Sequence, residues 1–139
     1  MRIFGLIVLL LFSGVGIGKA DDLVCNAGHC ERNVTLQSGS SAILAVGIYG
    51  SNSSDCLFVE PHIETLVQPH LGKIVPRIVS RPVAPLDHLG RPDPCEGKPT
   101  KGLQINYISD SGSHGTDEVV LNVIVGRSQA VARYVITVQ

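Results

Sequence analysis

Lys101-Gly-Leu-Gln-Ile-Asn-Tyr-Ile-Ser109, Asp110-Ser-Gly-Ser-His-Gly-Thr-Asp117, Glu118-Val-Val-Leu-Asn-Val-Ile-Val125 and Gln129-Ala-Val-Ala-Arg-Tyr-Val-Ile-Thr-Val138 fill the last third of the chain, and their alternation decides the fold class. Leu103, Ile105 and Tyr107 alternate with Gln104, Asn106 and Ile108. A period of two places one apolar row on one face of a strand. Val119, Leu121, Val123 and Val125 interleave with Val120, Asn122 and Ile124, so this strand is apolar on most of both faces and is expected in a sheet interior. Val131, Arg133, Val135 and Thr137 oppose Ala132, Tyr134, Ile136 and Val138 in a third strand rich in β-branched residues. Gly126-Arg127-Ser128 reads as a short hairpin connection, and residues 110–116 as a loop of Gly, Ser and Asp. A helix over Glu118 to Val125 lacks a polar face, since only Glu118 and Asn122 would supply it.

Upstream, shorter segments repeat the signal. Asn33 to Gln37, Ser41 to Tyr49, Cys56 to Glu60 and Ile63 to Val67 read as strands, and extended chain resumes over Lys73 to Val79. Residues 21–32 read as a cysteine-clamped lead-in. From Arg81 to Thr100 the composition changes, with Pro82, Pro85, Pro92, Pro94 and Pro99 beside Gly90 and Gly97. Repeated prolines remove backbone donors and argue for a long loop, here pinned by Cys95. About seven short strands without helical periodicity imply an all-β, antiparallel sandwich.

The amino terminus reads as a targeting segment. Arg2 precedes an apolar run from Ile3 to Phe12, and Gly18-Lys19-Ala20 offers small residues for cleavage after Ala20. The expectation is a signal peptide over 1–20 and one domain over 21–139, secreted or periplasmic, with no membrane insertion after cleavage. Arg2 and Lys19 leave with the peptide, so nine basic residues face twelve acidic ones, a net charge of about −3. No basic stripe supports nucleic-acid binding or an anionic membrane surface. Trp is absent, and Tyr49, Phe58, Tyr107 and Tyr134 are the only aromatics beyond the leader, too few for a stacking platform.

Four cysteines, Cys25, Cys30, Cys56 and Cys95, remain in the exported part. An even count in an oxidising compartment reads as two disulfides. Three connectivities are possible. Cys25–Cys30 with Cys56–Cys95 is favoured, one bond closing a tight loop and the other a long one. The competing zinc reading, with His29 beside Cys25 and Cys30, lacks a second matching knuckle.

Gln68-Pro69-His70-Leu71-Gly72-Lys73-Ile74, then Gly102-Leu103-Gln104-Ile105-Asn106-Tyr107, then Ser113-His114-Gly115-Thr116-Asp117 and the hairpin at Gly126 follow one another in a characteristic order. In that order the chain resembles the bacterial Ig-like repeats of large surface adhesins, the cadherin-like tandem repeats. The resemblance runs from Ile63 onward and is closest over Gly102 to Val138. It implies an Ig-like sandwich, with Gly72 and Gly115 giving positive φ or close backbone approach. It also implies that Tyr107 packs in the core with its hydroxyl bonded to the following loop, and that Asp117 accepts loop amide donors. The chain departs from the repeats in being a single module, in its four cysteines and in its proline-rich loop.

Calcium is the cofactor that such a family raises. Asp110, Asp117 and Glu118 are near in sequence, but no D-x-N-D-N linker is present, so turn carboxylates are the preferred reading. His29, His62, His70, His88 and His114 offer imidazoles without the His-x-His that copper–zinc superoxide dismutases use. Ser113, His114 and the flanking aspartates share one flexible loop, which cannot hold a relay, and no G-x-S-x-G elbow exists. Asn33-Val-Thr and Asn52-Ser-Ser are sequons that matter only in a eukaryotic secretory route. The expectation is therefore a non-catalytic binding module without cofactor or metal, meeting a protein or cell-surface partner. The contact residues are expected to be His88, Arg91 and Asp93 in the proline-rich loop, with His114 in the second loop. The alternative is a small exported metal-binding sandwich that uses its histidines.

Overall fold

The alternating rows of the sequence become two facing sheets. A computed structural model describes residues 19–20, 24–48, 50–51, 56, 58–86 and 90–139. In chain order the strands are β1 (Lys19–Ala20), β2 (Val24–Asn26), β3 (His29–Leu36), β4 (Ser41–Ile48), β5 (Gly50–Ser51) and β6 (Phe58–Val59). They continue with β7 (His62–Val67), β8 (Gly72–Pro82), β9 (Pro99–Ser109), β10 (Gly115–Val125) and β11 (Ser128–Val138). No helix occurs among the described residues, so none is long and apolar enough to cross a membrane. Of the expected signal segment over 1–20, residues 1–18 lie outside the described residues, while Lys19 and Ala20 pair with Thr35 and Val34 of β3.

One sheet runs β1-β3-β11-β10-β7, with β2 also on β3; the other runs β4-β9-β8; β5 and β6 form a small separate ladder. Pairing is antiparallel throughout except between β3 and β11, which run parallel from His29↔Val131 to Leu36↔Val138. The core lies between the sheets. Val34, Leu36, Val119, Leu121, Ala132, Tyr134, Ile136 and Val138 come from the first sheet, and Leu44, Leu103, Ile105 and Tyr107 from the second. Each large side chain in that layer contributes about 1.5–3 kcal/mol by leaving water. β10 is an interior strand, between β11 and β7, as its two apolar faces demand. Gly126 and Arg127 form its two-residue link to β11, with Val125↔Ser128 as the closing pair and Gly126 at φ 59°.

Three expectations need correction. The proline-rich loop is shorter than 81–100, because Arg81↔Thr100 and Pro82↔Pro99 belong to the β8–β9 ladder. Pro76↔Ile105 shares the parity of Pro82↔Pro99 in the same unbroken register. A proline fits an antiparallel ladder only where its missing N–H would point away from the partner strand. Pro76 and Pro82 therefore remove donors from the outer edge of β8, which also blunts that edge against a stray strand.

Within the expected lead-in over 21–32, the described residues 24–32 are in fact a β-hairpin, with Cys25↔Cys30 and Asn26↔His29 in register, so β3 begins at His29. Ala27 and Gly28 turn it with φ of 48° and 80°, the consecutive left-handed residues of a type I′ turn. Alanine is a poor residue for that conformation, which hid the turn in the sequence. Ala27→Gly is expected to raise stability by about 0.5–1 kcal/mol, read as a higher urea midpoint at unchanged m-value. The third correction is the strand expected over Cys56 to Glu60, which among the described residues is Phe58–Val59, paired with Gly50–Ser51.

Both disulfides form with the favoured connectivity, Cys25–Cys30 and Cys56–Cys95. Two such bonds fit an oxidising, non-cytoplasmic environment.

Candidate binding surface

At one end of the sandwich, residues 68–71 turn from β7 into β8 and residues 110–114 turn from β9 into β10. Asp117 ties them together. It is 3 % exposed, and its carboxylate accepts the amide N–H of His70 on Oδ1 at 2.9 Å and that of Leu71 on Oδ2 at 2.9 Å. The Tyr107 hydroxyl donates to Oδ2 at 2.8 Å and the Glu118 amide to Oδ1 at 3.0 Å. Burial on its own pushes the Asp117 carboxyl up, but the donors from His70, Leu71, Tyr107 and Glu118 outweigh it and hold the group below the usual carboxylate range. Burial, and next the bond to that carboxylate, push the Tyr107 hydroxyl well above its ordinary value, so it stays protonated and donates.

Gly72 allows this approach. A Cβ there would lie 2.3 Å from the Ile108 carbonyl oxygen and 2.7 Å from Cζ of Tyr107. The glycine requirement is one of space. Gly115 at φ 123° meets the other requirement, a backbone conformation closed to most side chains. Gly72→Ala is expected to cost about 3 kcal/mol, since backbone and a buried ring must both move, and chemical denaturation of the variant measures it.

The corner is saturated as a site. Both Asp117 oxygens face protein donors, an arrangement that leaves no acceptor turned toward a calcium ion. Glu118 turns to the outer sheet face and binds Arg133 at 2.8 Å, with Glu31 on the other side of the guanidinium at 3.3 Å. The Ser113 hydroxyl donates to the Asp110 carbonyl at 2.7 Å, a turn-closing role. Ser38 pins the same loop, accepting the Gly112 amide at 2.7 Å. His114 is exposed on it. Among the described residues no three His, Cys, Asp or Glu side chains converge as a metal site would require.

The proline-rich connection, residues 83–98, lies at the opposite end. Eleven-residue strands β8 and β9 separate the two ends by roughly 30 Å at about 3.3 Å per residue. His114 therefore shares no site with Arg91 and Asp93. The described residues of the connection, 83–86 and 90–98, are tied together by backbone bonds. The amide of Val83 donates to the Lys98 carbonyl at 3.0 Å, that of Gly97 to Val83 at 3.0 Å and that of Asp93 to Pro85 at 2.9 Å. Leu86 and Pro92 form an isolated antiparallel bridge. Val83 and Cys95 are buried beneath, and Cys95 is bonded to Cys56.

Asp93, expected as a contact residue, caps its own turn. Its Oδ1 accepts the Cys95 amide at 2.8 Å, an Asx-type cap. Arg91 is exposed on the tip, and His88 lies outside the described residues. Two residues of this region escape a reading of the sequence. Leu86 is 55 % exposed at the tip, and Thr100 is buried at its root with an Oγ1 that no protein group satisfies. An apolar residue between prolines was the available signal for Leu86.

A second surface was not anticipated. Along β2, β3, β11 and β10, an open groove of about 660 Å³ is lined by Val24, His29, Glu31, Val120, Val131 and Arg133 among others. In the pairing register His29 opposes Val131, and Val131 opposes Asn122, so one row crosses three strands. Asn122 is buried, gives its amide to Glu64 at 3.0 Å and leaves Oδ1 without a protein partner.

Comparison of the chain with protein-family models, with curated proteins and with solved structures returned no match.

Proposed function

We propose that the chain is an exported, non-catalytic binding module of Ig-like architecture, and that the tip over 83–98 is its contact element for a protein or cell-surface partner. The ordering of that tip carries the reading. A 16-residue, proline-rich connection would normally move freely. Here one disulfide, a buried Val83 and a set of short backbone bonds hold its described parts, 83–86 and 90–98. A pre-ordered loop loses little further entropy on association, which is the general advantage of preorganisation. Leu86 offers an apolar anchor, and Arg91, Glu96 and Lys98 are exposed in the same connection. An exposed apolar residue accompanied by charged ones is a composition common in protein contacts. The apolar run at 3–12 and the two disulfides support export.

The test is a pull-down from the exported fraction of the source cells, using the wild-type chain and a Leu86→Asp/Arg91→Glu double variant. A partner retained by the wild type and lost by the variant, at equal thermal stability, supports the reading. A partner retained by both moves the contact away from the tip.

A further inference from the structure

We propose that Cys25–Cys30 is a redox-sensitive clasp on the groove, opened by a dithiol reductant in the folded protein while Cys56–Cys95 stays closed. The two disulfides differ in what surrounds them. Cys25 is exposed on β2, directly opposite Cys30 on β3, and the bond spans five positions of sequence. Cys95 is fully buried, and its bond to Cys56 spans 39. Thiol–disulfide exchange requires a thiolate to reach a sulfur, so access ranks the two bonds. Loss of the shorter bond also costs the fold less, because a short closed loop restrains the unfolded chain less than a long one, so the protein remains folded when it opens.

Opening the clasp has a local consequence. Among the described residues β2 pairs with β3 and with no other strand. Val24 is 69 % exposed and anchors β2 weakly. The turn places Ala27 at φ 48°, a conformation that an L-residue leaves readily. β3 itself stays, because it pairs with β11 over its whole length and the Gly28 carbonyl accepts the Val131 amide at 2.8 Å. Reduction therefore peels β2 away. It removes Val24 and Asn26 from the groove wall and bares the backbone edge of His29 to Glu31. The electron balance is ordinary. One reductant thiolate attacks a cystine sulfur, the S–S bond breaks to a mixed disulfide, and the second thiol resolves it. Cys25 and Cys30 gain two electrons and two protons, and the reductant leaves as its own disulfide. The clasp does not depend on what the tip binds.

Dithiothreitol is the probe. The folded wild-type protein is reduced for increasing times, quenched with iodoacetamide and mapped by peptide mass spectrometry. Cys25 and Cys30 are expected to label at least ~10-fold faster than Cys56 and Cys95. Hydrogen exchange on the partly reduced protein is expected to speed up at least ~10-fold in β2 and at His29 to Glu31, with β9, β10 and β11 unchanged. A Cys25→Ser/Cys30→Ser variant should show the same exchange pattern without reductant; if it does not fold, the proposal is wrong, because the clasp is then needed for folding. Equal labelling rates, earlier labelling of Cys56 and Cys95, or exchange unaltered by reduction would each overturn the proposal.

Discussion

Replacing Asp117 by alanine is expected to cost about 5 kcal/mol, enough to leave many domains of this size unfolded. The variant strands four donors that converge on one carboxylate: the amides of His70, Leu71 and Glu118 and the hydroxyl of Tyr107. A buried donor left without an acceptor costs about 1–3 kcal/mol, and water entering the vacated space recovers part of that. Tyr107→Phe removes one donor and keeps the carboxylate, so it should cost only about 1–2 kcal/mol. The ratio between the variants, measured by urea unfolding at neutral pH, checks the account; a loss below about 2 kcal/mol for Asp117→Ala would contradict it.

The same carboxylate sets an acid limit. Its folded-state pKa lies below the ordinary value, so the unfolded chain takes up the proton first as pH falls. Its stabilisation is complete above the unfolded-state pKa of about 3.9 and declines as pH drops through the lower folded-state value. Thermal melts of the wild type should therefore steepen in their pH dependence below about pH 4. In a partly destabilised but folded Asp117→Asn variant that component should be missing.

The fold is legible wherever burial follows from period alone. Leu103, Ile105 and Tyr107 are one apolar row in the sequence, and they form one buried row in β9. The same logic places β10 inside its sheet. Legibility fails where backbone conformation or strand parity decides. Ala27 carries no mark in the sequence, yet its turn requires a left-handed φ. Pro82 and Pro99 suggest a loop because a proline forbids a ladder bond, but alternate ladder positions need none.

The candidate contact residues show a different failure. Composition groups His114 with Arg91 and Asp93, although successive hairpins put their turns at opposite ends of a sandwich. The β8–β9 connection and the β9–β10 connection are consecutive, so counting turns separates them. Groove residues such as Val24, Val131 and Arg133 had no such signal. The parallel pairing of β3 with β11 brings them together over about a hundred positions of sequence, and no periodicity encodes a parallel pairing.

A Cys56→Ser/Cys95→Ser variant is expected to lose about 4 kcal/mol, the chain-entropy value for a loop that spans 39 positions. The loss should have a local component beyond the unfolded-state term. Cys95 is fully buried under the tip, and its amide is held by Asp93, so the bond locks the base of the connection as well as closing the chain. Hydrogen exchange distinguishes the two contributions. If the disulfide acts on the unfolded chain alone, protection falls uniformly across β9, β10 and β11, in step with global stability. If it also orders the tip, the amides that bond within it, those of Val83, Asp93 and Gly97, lose additional protection while the strands keep their relative ranking. The second pattern is the expected one, and it bears on binding. A tip ordered by its disulfide should bind its partner more weakly in the variant even at temperatures where the sandwich remains folded, because ordering must then accompany association. Equal affinity in both forms would separate the tip's order from its function and remove the main support for the tip as contact element.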